Sequence, residues 1–350
     1  MKSISTGNYE LKQFDRLPDG ILDVSAEGLH SLIPEPALFH LPGKRADTLF
    51  VSVLLHGNES TGFLAVQKLL QKYHDQVLPR GLTLFFGNTL AAQANQRRLD
   101  NQPDFNRIWP GTVLPDSPET RWAKQICEVL RQRQVFASID VHNNTGLNPH
   151  YACVNKLDNE FLHLGSLFGR LLVYFTLPKG IQSGAFAEFC PAVTLECGHP
   201  GQPHGTEHAF EFIDSCLHLS EFPNQRVTNH DVDIFHTVAQ VTVADEATFS
   251  FSNDQVDLRL SHALENLNFN EVAPGTVIGK TRSSQIPVLA KDNFGQLVTE
   301  RFFAIKDQQL QLTRHTMPSM LTLDERVIRQ DCFCYLMERL EISPISESGA

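Results

Sequence analysis

The sequence lacks the features that mark membrane, secreted and nucleic-acid-binding proteins. No uninterrupted apolar run approaches the roughly 20 residues that span a bilayer, and residues 1–17 lack the apolar core of a signal peptide. Lysine and arginine are scattered singly in a chain with a formal net charge of -11, so no cluster of cations suits a phosphate backbone. We therefore expect a cytoplasmic protein that binds neither membranes nor nucleic acids.

The cysteine patterns of disulfide frameworks and structural metal sites are also missing. The seven cysteines are an odd number in 350 residues and include no Cys-x-x-Cys pair, so we expect reduced, buried thiols. There is no internal repeat or low-complexity tract. With 41% hydrophobic residues, the chain can bury the core of one large or two modest domains.

Short apolar runs alternate with helical patterns between residues 48 and 220. This alternation is typical of an α/β domain with a largely parallel sheet. The clearest helix is predicted from about Ser117 to Gln132, because Ser117 is a good N-cap and Pro118 suits the first helical position. The predicted strands are residues 48–55, 82–88, 135–142, 151–155, 171–176 and 192–197.

The sequence pattern changes after about Pro223. Short alternating segments separated by glycine, proline and asparagine replace the helical patterns, which favours a smaller β-rich domain. The last residues are polar, and we expect them to be frayed. We therefore predict an α/β domain at residues 1–224 and a β-rich domain at residues 225–345.

The pattern His-x-x-Glu occurs five times, so its spacing alone identifies no site. Only the pair His56 and Glu59 directly follows a predicted buried strand. The other pairs lie in a predicted helical segment, at its end, or in the loop-rich C-terminal part: His204/Glu207, His208/Glu211, His218/Glu221 and His262/Glu265.

Chemically reactive side chains follow three of the predicted strands. His56 and Glu59 follow the first of these strands, His142 ends the second, and Glu196 lies at the end of the third. Ligands of open α/β sheets bind beyond the carboxyl ends of the strands, so we expect these residues to converge. Two imidazoles and one carboxylate suit Zn²⁺ and leave a coordination position for water.

Two neighbouring residues support this interpretation. Gly57 has no Cβ and allows a tight turn, so that His56 and Glu59 can fold back onto one ion. Alternation along the strand places Asp140 on the same face as His142, where its carboxylate can orient the imidazole from behind.

These residues resemble the succinylglutamate desuccinylase and aspartoacylase family of zinc hydrolases, which has the zinc carboxypeptidase-like (M14-type) fold. The stretch "HGNEST" resembles the family's opening His-x-x-Glu signature, and "DFNRIWPG" resembles its Asn-Arg substrate motif. "DVH" resembles its Asp-x-His, and "TLECGHPGQPHG" resembles its glutamate-bearing strand and turn. The four motifs occur in the family's order across residues 50–205.

The resemblance implies a mixed, mostly parallel sheet flanked by helices, with a smaller C-terminal β domain. It also implies that residues 1–224 form the catalytic domain and bind one zinc ion. The resemblance implies that His56, Glu59 and His142 bind the metal and that Glu196 is the general base and acid. It implies that Asn106 and Arg107 recognise a substrate carboxylate. It also implies that an upstream arginine polarises the scissile carbonyl, for which Arg98 is preferred over Arg97.

The sequence departs from the aspartoacylase branch of the family at two positions. That branch has a tyrosine in the C-terminal domain where the similar stretch "IPVLAKDNFGQL" offers Phe294. It also has an arginine about ten residues before the catalytic glutamate, which "SGAFAEFCPAVTLE" lacks. The resemblance therefore does not by itself identify a small N-acetylated dicarboxylic amino acid as the substrate.

A second metal-binding pattern competes with the first. His204, Glu207 and His208 match the His-x-x-Glu-His pattern of another group of zinc peptidases. Alternatively, these residues flank the mouth of the first site, together with His199, or are solvated or capping residues.

The sequence thus predicts a zinc-dependent amidohydrolase that deacylates an N-acyl amino acid or a related small amide bearing a carboxylate. The alternatives are a zinc carboxypeptidase acting on short peptides and a non-catalytic relative that binds a metabolite. The expected partner is a small molecule, and the sequence leaves a homo-oligomer open.

Overall fold

The apolar runs in the first two thirds of the chain form the strands of a central sheet in the computed structural model, which describes residues 11–342. Residues 48–53 of one strand are buried on both faces, as is common in parallel sheets covered by helices. The strands of this part are β1 (Lys12–Phe14), β2 (Ala37–Leu41), β3 (Gly43–Val53), β4 (Leu78–Phe86), β5 (Val135–His142), β6 (Tyr151–Val154), β7 (Leu171–Tyr174) and β8 (Ala192–Glu196).

Most strand pairs of this sheet are parallel. From one edge the order is β1, β2, β4, β3, β5, β8 and β6. β1 is parallel to β2, β3 is parallel to both β4 and β5, and β5 is parallel to β8. The β2–β4 and β6–β8 pairs are antiparallel. The predicted α/β class with a mostly parallel sheet is confirmed. Because β3, β5 and β8 are parallel, their carboxyl ends lie at one edge of the sheet.

Helices connect the strands and pack on the sheet. They are α1 (Thr61–Lys72), α2 (Thr89–Gln93), α3 (Pro118–Arg131), α4 (Asn159–Phe168), α5 (Gln182–Phe186) and α6 (Pro203–His218). The predicted helix after Ser117 is confirmed as α3, where Ser117 and Thr120 form a reciprocal capping box. None of the helices in residues 11–342 is long and apolar enough to cross a membrane.

The start of α1 lies directly on the sheet because residue 62 is glycine. A Cβ at Gly62 would lie 2.8 Å from Val53 on β3 and 2.8 Å from Val141 on β5. A larger side chain there would push the helix outward. The close packing holds the first turn of α1 against two strands whose carboxyl ends carry the predicted metal ligands.

The chain divides into two compact units. Unit 1 comprises residues 11–143, 150–172 and 176–227, and unit 2 comprises residues 144–149, 173–175 and 228–342. The change of unit after residue 227 lies close to the predicted boundary, and the two short segments of unit 2 within the first half were not anticipated. The predicted end of the second domain at residue 345, and the polar C-terminal residues, lie outside the described residues.

Unit 2 is built mainly from antiparallel strands around its own apolar core. One sheet has the order β13, β9, β17, β16 and the other β10, β11, β12, β15, β14. The elements are β9 (Asp233–Val243), β10 (Phe249–Ser250), β11 (Leu258–Leu260), β12 (Val277–Thr281), β13 (Val288–Lys291), α7 (Thr299–Phe302), β14 (Phe303–Lys306), β15 (Gln309–Leu312), β16 (Met317–Ser319), α8 (Glu325–Gln330) and β17 (Cys334–Leu340). Leu258, Val288, Phe302 and Leu336 belong to its core. The C-terminal β strands expected from the sequence are present.

The cysteines behave as predicted. All seven are buried and free of disulfide bonds. Burial raises the pKa of the Cys127 thiol to about 12, which keeps it protonated at neutral pH. These thiols contribute to packing.

Candidate metal centre and active site

The loop between β3 and α1 brings the first two predicted ligands to the edge of the sheet. Leu54, just after β3, adopts a left-handed conformation with φ 58°, which turns the chain away from the strand. A Cβ at Gly57 would lie 2.7 Å from Gln96 O and still closer to the main chain of Ala91 and Ala92. Gly57 also lies in the turn that the Glu59 N–H closes on His56 O at 3.1 Å, so it serves both the predicted tight turn and the close approach of two backbones.

Three side chains converge at this edge. Nδ1 of His56 lies 2.8 Å from Oε1 of Glu59, and Nδ1 of His142 lies 2.8 Å from Oε2 of the same carboxylate. The two Nδ1 atoms are 3.2 Å apart. All three residues are buried. Within residues 11–342 they form the one group of three or more histidine, cysteine, aspartate or glutamate side chains whose ligand atoms lie within 4.8 Å of one another.

Each histidine has a carboxylate behind it. Nε2 of His56 donates to Oδ1 of Asp104 at 2.9 Å, and Nε2 of His142 donates to Oδ2 of Asp140 at 2.7 Å. Ser52 on β3 donates to the other oxygen of Asp140 at 2.6 Å. These bonds place the imidazole proton on Nε2 and orient the Nδ1 lone pair toward the cluster. The expected position of Asp140 behind His142 is thus the one that the structure has.

This arrangement fits a divalent metal ion. With both outer nitrogens committed, the two Nδ1 lone pairs and the Glu59 carboxylate face one another at hydrogen-bond distance. Only a proton or a cation satisfies lone pairs that meet in this way in a buried site. Two imidazole nitrogens and one carboxylate form a donor set typical of catalytic zinc.

The charges of the cluster agree with a cation site. Burial lowers the pKa of His142, but the neighbouring Asp140 and Glu59 carboxylates outweigh it and hold that pKa well above its usual value. Burial raises the pKa of Glu59 and of Asp104, but His56 and other positive neighbours hold both pKa values below their usual range. The carboxylates are therefore ionised, and the site attracts positive charge.

The fourth predicted residue, Glu196, lies beside this cluster at the end of β8. In the parallel pairing of β5 and β8, Glu196 is the register partner of His142. In the antiparallel pairing of β6 and β8, its partner is Tyr151. Glu196 is buried with 8% of its surface exposed. A carboxylate here adjoins the metal-ligating residues without belonging to their group.

The two upstream arginines differ in their contacts, and Arg97 is the one that lies beside the cluster. Its guanidinium lies 3.7 Å from Oε1 of Glu59 and donates to Oδ2 of Asp104 at 3.0 Å. Arg98 donates instead to the main-chain oxygen of Gln102 at 3.1 Å. Which of the two polarises a scissile carbonyl stays a prediction. Two adjacent arginines point in different directions, and the sequence spacing did not indicate which one faces the cluster.

Asn106 and Arg107 are adjacent to the cluster but differ in their surroundings. Asn106 is buried, its Oδ1 accepts the Gln182 N–H at 3.0 Å, and its Nδ2 lies 3.3 Å from Nε2 of His142. Arg107 is half-buried and its Nη1 donates to Asn106 O at 2.8 Å. The Asn106 side chain is thus part of the frame of the site, and the recognition of a substrate carboxylate by Asn106 and Arg107 stays a prediction.

The competing His-x-x-Glu-His pattern does not form a metal cluster. Glu207 pairs with Lys68 of α1 at the surface. Nε2 of His208 donates to Phe168 O at 2.7 Å, and its ring stacks on the Phe168 ring with centroids 4.0 Å apart. His204 stacks on His150 with an angle of 9° between the rings. Nδ1 of His208 lies 2.9 Å from Nδ1 of His150, but within residues 11–342 no third ligand completes a metal-binding group there.

Sequence reasoning missed Asp104, although it lies in the quoted stretch "DFNRIWPG". Asp104 accepts a hydrogen bond from Nε2 of His56, on the side of the ring away from Glu59. It also pairs with Arg97 and accepts the Asn106 N–H at 2.8 Å. The signal was available, because every metal-ligating histidine needs a partner for its second nitrogen. Asp140 was recognised for His142 from strand alternation, whereas Asp104 lies in a loop where no periodicity applies.

Comparisons with known proteins agree with this site. Residues 45–208 match the model of the succinylglutamate desuccinylase/aspartoacylase catalytic domain. The chain matches no curated protein by sequence.

Solved structures share the fold at low sequence identity. The succinylglutamate desuccinylase from Chromobacterium violaceum is 16% identical, with 88% of this chain and 89% of that chain covered and a TM-score of 0.57. Murine aminoacylase 3 is 15% identical, with 85% and 97% covered and a TM-score of 0.55. A succinylglutamate desuccinylase/aspartoacylase from Rhodobacter sphaeroides is 12% identical, with 87% and 89% covered and a TM-score of 0.55.

The matched residues 45–208 include the whole His56, Glu59, His142 and Glu196 constellation. Residues 45–208 thus match the succinylglutamate desuccinylase/aspartoacylase catalytic domain, and the chain shares its fold with solved succinylglutamate desuccinylases.

Proposed function

We propose that this chain is a zinc-dependent hydrolase that cleaves the amide bond of an N-acyl amino acid, or of a related small amide bearing a carboxylate. The observation that carries the proposal is the buried convergence of His56, Glu59 and His142, with both outer imidazole nitrogens held by carboxylates. When bound there, zinc supplies Lewis-acid activation of water and of the amide carbonyl.

Glu196 is the proton carrier in this proposal. Its carboxylate takes a proton from the attacking water as the new C–O bond forms, and it gives that proton to the nitrogen as the C–N bond breaks. The amine then leaves as a neutral group, and the acyl group leaves as a carboxylic acid. The buried position of Glu196 beside His142 suits a group that acts at the ligated edge of the sheet.

Two arginines supply the positive charge that the reaction needs. Arg97 is always charged and lies beside Glu59, where it stabilises the negative charge that develops on the carbonyl oxygen. Arg107 offers a planar guanidinium that suits a substrate carboxylate, which distinguishes N-acyl amino acids from neutral amides.

The test is a hydrolysis screen of N-acyl amino acids and dipeptides with zinc-loaded protein, repeated with the matched variant Glu196→Gln. We expect hydrolysis of N-acyl amino acids in the wild type. In the variant, kcat should fall by about 10²- to 10⁴-fold, the usual loss on removing a general acid–base group. Zinc stoichiometry should be the same in both proteins, because the glutamine preserves the shape of the side chain and the residue is not a ligand.

Three outcomes contradict parts of the proposal. Faster release of the C-terminal residue from dipeptides would identify a carboxypeptidase. Loss of zinc from the Glu196→Gln variant would make Glu196 a ligand. Equal rates on a substrate and on its carboxylate-amidated form would remove the carboxylate from substrate recognition by Arg107.

A further inference from the structure

Asn143, the residue after the ligand His142, is buried and makes hydrogen bonds in three directions. Its main-chain N–H donates to Oε2 of Glu59 at 3.1 Å. Its side-chain Oδ1 accepts the Thr61 N–H at 3.3 Å, and its Nδ2 donates to Gly198 O at 2.8 Å. It therefore joins the end of β5 to a ligand, to a helix start, and to the turn after β8.

The contact with Glu59 orients that carboxylate. Oε2 of Glu59 lies between the Asn143 N–H and Nδ1 of His142, while Oε1 faces His56. A main-chain N–H on one oxygen favours the ionised form and restricts rotation of the carboxylate plane. The ligand is thereby held in one orientation toward both histidines.

The contact with Thr61 replaces a missing helix cap. Ser60 is the N-cap residue of α1, but its side chain makes no capping hydrogen bond. The first N–H groups of a helix have no partner within the helix, and a buried one without a partner destabilises the fold. Asn143 supplies that acceptor from β5, so the residue that contacts Glu59 also holds the helix that begins two residues after it.

The contact with Gly198 connects Asn143 to the turn that follows Glu196, the proposed proton carrier. Gly198 follows Glu196 by two residues and has φ +70°, a conformation that favours glycine. A Cβ there would lie 3.1 Å from Nε2 of His150. The Cys197 N–H donates to His142 O at 3.0 Å. The chain just after Glu196 is thus tied to residues 142 and 143 by two hydrogen bonds.

We propose that Asn143 is a positioning residue that fixes both the orientation of the Glu59 carboxylate and the position of the turn that follows Glu196. The inference rests on the proposed function, because it assigns Glu59 as a ligand and Glu196 as the proton carrier. In this arrangement, the backbone of Asn143 and its Oδ1 maintain the metal site, and its Nδ2 maintains the position of Glu196.

Two variants separate the two contacts. Asn143→Ala removes both side-chain bonds, whereas Asn143→Asp keeps an acceptor for the Thr61 N–H and loses the donor to Gly198 O. The added negative charge of the aspartate also lies at a helix N-terminus, where it is favourable. The matched control is Asn159→Ala on α4, since the Asn159 side chain likewise bonds main-chain atoms, of Gln225 at 3.0 Å and of Val227 at 2.9 Å.

The measurements are zinc affinity by competition with a chelator, kcat and KM at saturating zinc, and the melting temperature. Asn143→Ala should weaken zinc binding about 10- to 100-fold, the usual effect of removing a residue that supports a ligand. Asn143→Asp should bind zinc as the wild type does and lose roughly tenfold in kcat with little change in KM, because the base is displaced and substrate binding is not. Asn159→Ala should change only the melting temperature.

The inference is overturned if both Asn143 variants lose thermal stability as Asn159→Ala does and keep wild-type zinc affinity and kcat. If the wild type hydrolyses no substrate in the screen, the proposed function fails independently. The ranking of zinc affinity, with the alanine variant weaker than the aspartate variant and the wild type, then decides the inference without any activity.

Discussion

At the scale of single residues, the candidate metal centre depends on the partners of the Nε2 atoms of its two histidines as much as on the three proposed ligands. Asp104 and Asp140 each accept the Nε2–H of one histidine, which leaves both Nδ1 atoms facing Glu59, where a proton or a metal ion can lie between them. Neutral histidines without these carboxylates would exchange tautomers and rotate. The carboxylates therefore organise the site before any ion binds, which reduces the entropy that metal binding must overcome.

The adjacent arginines give a test at the same scale. Arg97→Gln removes the positive charge beside Glu59 and should lower kcat by about 10²- to 10³-fold, the loss expected for one group that stabilises a developing oxyanion. Arg98→Gln removes a side chain that bonds main-chain oxygens and should change kcat little. The measurement is steady-state kinetics of both variants at equal zinc content. A large loss in the Arg98 variant alone would restore the preference that the sequence suggested.

At the scale of elements, parallel strands and tight packing place the site. β3, β5 and β8 deliver their carboxyl ends to one edge, and Gly62 lets α1 begin directly on that edge. Strand β2, further along the same sheet, carries a buried histidine that is unrelated to the metal. His40 lies between Gln13, whose Oε1 accepts from Nε2 at 3.0 Å, and Thr83, whose hydroxyl bonds Nδ1 at 3.0 Å.

His40 should make the stability of the protein depend on pH. Burial, with Arg133 nearby, lowers the pKa of His40 from 6.5 to about 4. Between these values the unfolded chain binds more protons than the folded chain, so stability is complete above pH 6.5 and falls as pH drops toward 4. His40→Gln should flatten this part of the stability curve.

The measurement for His40 is the free energy of unfolding in urea at several pH values, on metal-free protein. The matched control is His74→Gln, which removes an exposed imidazole and should follow the wild type. If the His40 variant keeps the full wild-type slope between pH 6.5 and 4, another group carries the dependence.

At the scale of the whole molecule, a bound metal ion should contribute directly to stability. On the proposed function, zinc binds the native chain at the His56, Glu59 and His142 cluster, a site that is not formed in the unfolded chain. Such a ligand stabilises by about 2.7 kcal/mol when its free concentration is 100 times Kd. Chelation should therefore lower the melting temperature, and added zinc should restore it.

The control for this prediction is His142→Ala, which removes one ligand. Its melting temperature should be the same with zinc and with chelator, measured by circular dichroism at fixed protein concentration. A full chelator effect in that variant would place the stabilising ion elsewhere in the chain.

Much of the α/β fold was predictable from the sequence, because it depends on local patterns. The apolar runs of β3, β5 and β8 and the cap of α3 at Ser117 can be identified without tertiary contacts. The convergence of His56, Glu59 and His142 could be predicted for the same reason, since the first two follow one strand, the third ends another, and parallel strands end at one edge.

Other features depended on tertiary contacts that no local pattern records. The direction of Arg97 over Arg98 is set by Asp104 across a loop, and the role of Gly57 is set by the approach of Ala91 and Ala92. The competing pattern of His204, Glu207 and His208 has the correct spacing, but these side chains form no group of three ligands within residues 11–342. Sequence spacing determined which groups reach the edge of the sheet. Only the folded chain decided which of them face each other, because side-chain direction in loops follows from packing and hydrogen bonds between residues distant in sequence.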